Sequence, residues 1–162
     1  MPALHSNMVP LGTIAHNFEL QGTDDKTYSL SSFLDKDVIV IIFMCNHCPY
    51  VKAVINRLID LQNEFVDRGV QLIGINPNDS KQYLDDSLDN MKKIAKEKGF
   101  SFPYLIDPSQ KTAKEYDAIS FETYGLMGTP SSLLIDKKGV LRYKLFGAGQ
   151  ELDQKIESLL GE

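Results

Sequence analysis

Cys45 and Cys48 are the only cysteines in this 162-residue chain, and they stand two residues apart in "MCNHCPY" with His47 between them. Two thiols at that spacing can ligate a metal, can close and reopen a disulfide, or can divide a reaction so that one attacks and the other resolves the product. A closed structural zinc site needs four ligands. The other histidines, His5 and His16, sit near the N-terminus without paired spacing, so a metal is not the expected occupant. A redox dithiol is the reading that needs no residue the chain lacks.

Such chemistry depends on where the thiols are held. "VIVIIFM" (Val38 to Met44) is β-branched and apolar on both faces, the pattern of a strand buried between two layers. After the motif, Val51, Val54, Ile55, Leu58, Leu61 and Phe65 recur at helical spacing, with Lys52, Arg57, Gln62 and Glu64 between them, which predicts an amphipathic helix ending near Gly69. Cys45 therefore falls at the carboxyl end of a strand and the start of a helix. Free N–H groups and the positive end of the helix dipole favour a thiolate there, and the Cys45 pKa is expected in the range of about 3.5–7.5 typical of such positions. Cys48 lies about one turn on, within reach of a disulfide formed on Cys45, and Pro49 suits a first helical turn because it sacrifices little hydrogen bonding.

The remaining elements follow the same reading. "NFEL" and "TYSL" alternate polar and apolar residues around the turn-forming "QGTDDK", predicting an antiparallel hairpin, and "SSFLDK" a short helical turn. "VQLIGIN" and "FPYLID" read as strands. "SLDNMKKIAKEKG" between them reads as a helix with Ser87 as N-cap, lysines at its C-terminus and Gly99 just past its end. "PSQKTAKEYD" predicts a short helix, "SSLLID" and "VLRYKLF" two strands joined at "KKG", and "ELDQKIESLL" a closing helix. Strands alternating with helices give an α/β protein: a central, mostly parallel sheet with an antiparallel edge, helices on both faces and an N-terminal β-hairpin extension. No repeat or long linker divides the chain, so residues 1–162 are read as a single domain.

The net charge of −5 argues against nucleic acid and anionic membrane surfaces as partners, because both reward clustered cations. The first sixteen residues contain no Lys or Arg and no continuous apolar core, and the longest apolar run, Val38 to Cys45, is far short of the roughly 20 residues that span a bilayer. A cytoplasmic protein is expected.

With strand, Cys-x-x-Cys and helix in that order, the sequence resembles the thioredoxin-like superfamily. "HNFELQGTDDKTYSLSSFLDKDVIVIIFMC" looks like the opening of its redoxin branch, which includes peroxiredoxins and the thioredoxin-like reductases of cytochrome maturation. "MCNHCPYVKAV" is similar to a narrower group carrying Cys-Asn-His-Cys-Pro, and "YGLMGTPSSLLIDKKG" looks like the segment that carries a cis-proline facing the dithiol. The resemblance implies a thioredoxin-like fold, Cys45 as nucleophile, Cys48 as resolving cysteine, Pro130 as the cis-proline and the Thr129 backbone as a pairing site for an extended substrate. Departures from the pattern bear on function. Met44 stands where thioredoxins have tryptophan. No carboxylate occurs in "VIVIIFM", which leaves His47 and Asp107 as the candidates to accept the Cys48 proton, and Gly128 stands where some relatives have a third cysteine.

The expected function is a thiol-disulfide oxidoreductase acting on protein or small-molecule disulfides, turned over by an external thiol reductant or oxidant, without a cofactor or metal, as a monomer or weak homodimer. His47 can place positive charge near Cys45, stabilise its thiolate and raise the potential above the about −270 mV of thioredoxin. A peroxiredoxin-type peroxidase is the alternative, although the positions that carry Pro and Thr or Ser before a peroxidatic cysteine are Val38 and Ile42 here. A copper-binding module ranks third, since no histidine follows His47.

Overall fold

The computed structural model describes residues 11–44, 46, 49–77, 87–107, 112, 119–120, 125–126, 131–146 and 150–162. The predicted hairpin forms as β1 (Glu19–Gly22) and β2 (Thr27–Ser29), with Leu20 opposite Tyr28. Asp25 takes the left-handed conformation at its turn (φ 66°), a region that Asp tolerates better than most side chains. Leu30–Phe33 then makes a single 3-10 turn where "SSFLDK" predicted one.

The apolar run becomes β3 (Val38–Phe43), buried throughout as its two-faced pattern requires. It leads to α1 (Pro49–Phe65), whose last turn tightens into a 3-10 turn at Val66–Arg68 and stops at Gly69. Gly69 has φ +80°, the left-handed conformation that calls for glycine, and a Cβ there would also push on the Asp37 carboxylate 2.6 Å away. Then come β4 (Val70–Asn76), α2 (Leu88–Lys98) and β5 (Tyr104–Ile106). Ser87 caps α2 by accepting the Asn90 N–H at 3.2 Å, and Gly99 ends it in the left-handed conformation, both as expected. A small ribbon, β6 (Ile119–Ser120) with β7 (Gly125–Leu126), was not foreseen, because two-residue strands carry no periodicity. β8 (Ser131–Asp136), β9 (Leu141–Phe146) and α3 (Gln150–Leu160) complete the order. Of the helix predicted over "PSQKTAKEYD", only Thr112 is described, and it is helical and buried.

The main sheet has seven strands in the order β2-β1-β5-β4-β3-β8-β9. Parallel pairing is confined to the centre, where β3 pairs with β4 and β4 with β5. The expected antiparallel edge at β8 and β9 is present, and a second one arises because β1 pairs antiparallel with β5, drawing the N-terminal hairpin into the same sheet. The steps β3-α1-β4 and β4-α2-β5 move the same way across the sheet. Right-handed crossovers then put α1 and α2 on one face. There Ile55, Leu58, Leu61, Phe65 and Met91 meet Val38, Val40, Ile42, Leu72 and Tyr104, together with Leu152, Ile156 and Leu159 of α3. On the opposite face Ile39, Ile41, Phe43, Ile73, Ile75, Leu105, Leu133 and Ile135 pack under Phe18 and Leu30.

Gln62 departs from the sequence reading. It falls among the polar residues of the α1 pattern, yet it is 2% exposed and faces the sheet. β5 is short and pairs with β4 only from Gly74 to Asn76, which leaves the first half of that β4 edge without a strand. The Gln62 side chain fills the gap: its Oε1 accepts the Leu72 N–H at 2.7 Å and its Nε2 donates to the Val70 carbonyl at 2.9 Å. Gln71 continues the ladder by donating from its Nε2 to the Leu72 carbonyl at 2.8 Å.

Candidate functional site

The parallel strands β3, β4 and β5 end side by side, and the chain leaves each of them through residues that stay tied to the neighbouring strand. Met44, just after β3, donates its N–H to the Ile75 carbonyl at 2.9 Å, and Asp107, just after β5, donates its N–H to the Asn76 carbonyl at 2.9 Å. This is the edge of an open α/β sheet where ligands and reactive groups gather, because the following helix presents its N-terminus there. Cys45, His47 and Cys48 lie outside the described residues, as do Thr129 and Pro130. Their described neighbours are all at this edge. Met44 and Asn46 flank Cys45 in sequence, α1 begins at Pro49, and Ser131, which follows Pro130, is the register partner of Phe43.

Polar side chains at this edge are buried. Asn46 is 6% exposed, and Asn76, Asp107 and Ser132, the partner of Ile42, have no measurable exposure. Buried polar groups are costly unless hydrogen-bonded, so an edge that keeps several of them is built around interactions. Complete burial sets Asp107 apart from an ordinary turn aspartate before a proline. Val38 and Ile42 are fully buried in the layer facing α1, so neither place offers a hydroxyl.

The contact that sequence reasoning missed joins Asn46, between the two cysteines, to Tyr104 of β5. The Tyr104 hydroxyl donates to Asn46 Oδ1 at 2.8 Å, and both side chains are buried. The available signal was a tyrosine in the apolar strand "FPYLID", since a buried phenol needs a partner. The ring is held from several sides. Phe100 lies 5.3 Å from it centroid to centroid, and Phe100 in turn packs on Phe102 at 5.1 Å. Gly74, its register partner on β4, allows the approach: a Cβ there would stand 3.0 Å from Met44 Sδ and 3.2 Å from both Phe102 and Tyr104 ring atoms. Tyr104, Gly74 and Met44 thus form one packed unit that ends in a hydrogen bond to the motif.

Among the described residues no cluster of three or more His, Cys, Asp or Glu side chains is arranged to hold a metal ion, and no helix is long and apolar enough to cross a membrane.

The architecture is the thioredoxin-like α/β fold. Residues 11–144 match the AhpC/TSA family. The chain is 28% identical over 135 residues to the chloroplastic peroxiredoxin Q of Triticum aestivum, covering 83% of this chain and 58% of that protein. It spans little more than half the length of that relative. It is 23% identical over 155 residues to the thiol-disulfide oxidoreductase ResA of Geobacillus thermodenitrificans, covering 93% of this chain and 79% of that one. A crystal structure of an uncharacterized conserved protein from Geobacillus kaustophilus superposes with a TM-score of 0.85 at 35% identity, over 96% of this chain and 84% of the other.

Proposed function

This chain belongs to the AhpC/TSA family, and from that premise we propose that it is a thiol-disulfide oxidoreductase whose working groups are Cys45 and Cys48. The observation that carries the reading is the convergence at one sheet edge of the segments adjoining both expected site elements, Met44 and Asn46 before α1 and Ser131 beside Phe43. In the reducing direction the Cys45 thiolate attacks one sulfur of a substrate disulfide, forms a mixed disulfide and expels the other sulfur as a thiolate. Cys48, after giving up its proton, attacks Cys45 Sγ. The Cys45–Cys48 bond forms as the mixed bond breaks, two electrons reach the substrate, and an external thiol reductant restores the pair.

His47, one of the two residues between the cysteines, can carry positive charge near Cys45, and that charge would stabilise the thiolate and make the pair more oxidising. Thr129 and Pro130 offer backbone to an extended protein or small-molecule disulfide substrate. Asp107 is the favoured acceptor for the Cys48 proton, because it is a carboxylate held fully out of solvent at the edge where the motif begins.

A peroxidase reading draws on the likeness to peroxiredoxin Q. Val38 and Ile42, buried against the helices, weigh against it, since they supply nothing to polarise a peroxide. The test equilibrates the protein in graded reduced and oxidised glutathione, quenches by alkylation and reads the masses. A reversible two-electron Cys45–Cys48 bridge, exchange abolished in Cys45→Ser and mixed disulfides trapped in Cys48→Ser are the expected results. Retained exchange in Cys45→Ser would overturn the assignment. Peroxide consumption well above that of a simple thiol of equal pKa would shift the reading to peroxidase.

A further inference from the structure

We infer that Tyr104 is a positioning residue for the dithiol, holding the turn between Cys45 and Cys48 through its hydrogen bond to Asn46. The inference rests on the oxidoreductase reading for its purpose and on the described residues for its geometry. Asn46 is one of the two residues between the cysteines, so whatever fixes its side chain limits the backbone that carries both thiols. One group that holds it is 58 residues away in sequence and stands on a strand of the main sheet. Tyr104 sits on β5, in register with Gly74 of a central strand, and its ring is confined by Phe100 and by the close approach that Gly74 permits. Its hydroxyl is therefore placed by the sheet, and the motif is referenced to the sheet through it.

The bond is buried, so water does not replace it when it is lost. A tie at Asn46 restrains the chain that leads from β3 to the N-terminus of α1, where the oxidoreductase reading puts the Cys45 thiol to use. That restraint favours the thiolate through the helix-end charge, and stabilising the thiolate stabilises the reduced form. Untying the turn spreads it over several arrangements, weakens that stabilisation and moves the pair towards its disulfide.

Tyr104→Phe removes one oxygen and leaves the packed ring in place. Two readouts are needed, both in the full chain. In a Cys48→Ser background, where Cys45 is the only thiol, the pH profile of iodoacetamide alkylation should move to higher pH. With both cysteines present, the equilibrium constant for forming the Cys45–Cys48 bridge against glutathione should rise at least threefold. Asn46→Ala should shift both in the same direction, and the double variant should shift them no further, because both single changes cut the same bond. A purely structural bond would lower the unfolding midpoint of oxidised and reduced protein equally and leave profile and constant unmoved, and that result would overturn the inference, as would a shift in the opposite direction. If the parent protein formed no reversible bridge, the oxidoreductase reading would fall by itself, while the alkylation profile would still decide whether Tyr104 acts on Cys45.

Discussion

Replacing Gln62 by leucine should destabilise the protein by about 2 kcal/mol, although the change puts an apolar side chain into a buried site. In the native structure the Gln62 amide accepts the Leu72 N–H and donates to the Val70 carbonyl along the part of β4 that β5 is too short to cover. Leucine leaves both backbone groups without that partner, while the Leu72 carbonyl keeps its bond from Gln71. A buried donor or acceptor stripped of its partner costs roughly 1–3 kcal/mol, so the pair costs between roughly 2 and 6 kcal/mol. Better burial of leucine returns up to about 2 kcal/mol of that, and the net loss centres near 2 kcal/mol.

Urea unfolding followed by far-ultraviolet circular dichroism reads this as a lower midpoint at unchanged slope. Thermal unfolding should show a loss of roughly 4–8 °C for a chain of this size. A second variant separates hydrogen bonding from shape. In Gln62→Glu the protonated acid can both accept from Leu72 and donate to Val70, whereas the carboxylate can only accept and is desolvated. The glutamic acid pKa is then raised in the folded state, so its stabilising contribution is present at low pH and lost as pH rises through the raised value. The variant should come closest to wild type near pH 4 and fall behind it towards neutrality. If Gln62→Leu unfolded within about 0.5 kcal/mol of wild type, or if the gap for Gln62→Glu did not depend on pH, the amide would not be completing the β4 edge, and the argument would fail.

Gly74→Ala should destabilise the protein by about 1–3 kcal/mol, because the added carbon meets Met44 Sδ at 3.0 Å and two aromatic rings at 3.2 Å, and a denaturant midpoint measures the loss. Because one of those rings is Tyr104, the same substitution should also weaken the Asn46 bond and raise the pH at which Cys45 is alkylated. At the other end of the sheet, Asp136 is half sheltered in the turn between β8 and β9. Burial would raise its pKa, but the Val140 N–H, the Arg142 guanidinium and the Lys138 N–H together hold it below the ordinary aspartate value. A depressed pKa contributes stability above the unfolded value of about 3.9 and loses it as pH falls through the folded one. Asp136→Asn keeps an acceptor for the two N–H groups, so it should be less stable than wild type by about 1 kcal/mol or less at pH 7, with the gap closing below about pH 4. A gap constant across that range would show that the charge plays no part.

Much of this architecture is local and therefore readable along the chain. The run Val38 to Phe43 announces a two-faced buried strand, Ser87 and Gly99 mark the ends of α2, and Gly69 marks the end of the α1 segment, because propensity, capping and periodicity act over a few residues. The cysteine spacing named the candidate chemistry for a similar reason: the reactivity of Cys-x-x-Cys at a strand-to-helix junction is a property of that junction.

What tertiary structure decided was pairing between distant segments. No local signal tells β1 to pair with β5 and carry the hairpin into the main sheet. Gln62 looks like any polar residue of an amphipathic helix until a short β5 leaves a bare edge for it to complete, and Tyr104 looks like an apolar strand residue until Asn46 arrives opposite its hydroxyl. The sequence by itself marked the candidates for reaction and the strand and helix that would adjoin them. The sheet decided which buried amides and phenols would hold those elements in place, because a hydrogen bond across tens of residues exists only once register and layer have brought its two ends together.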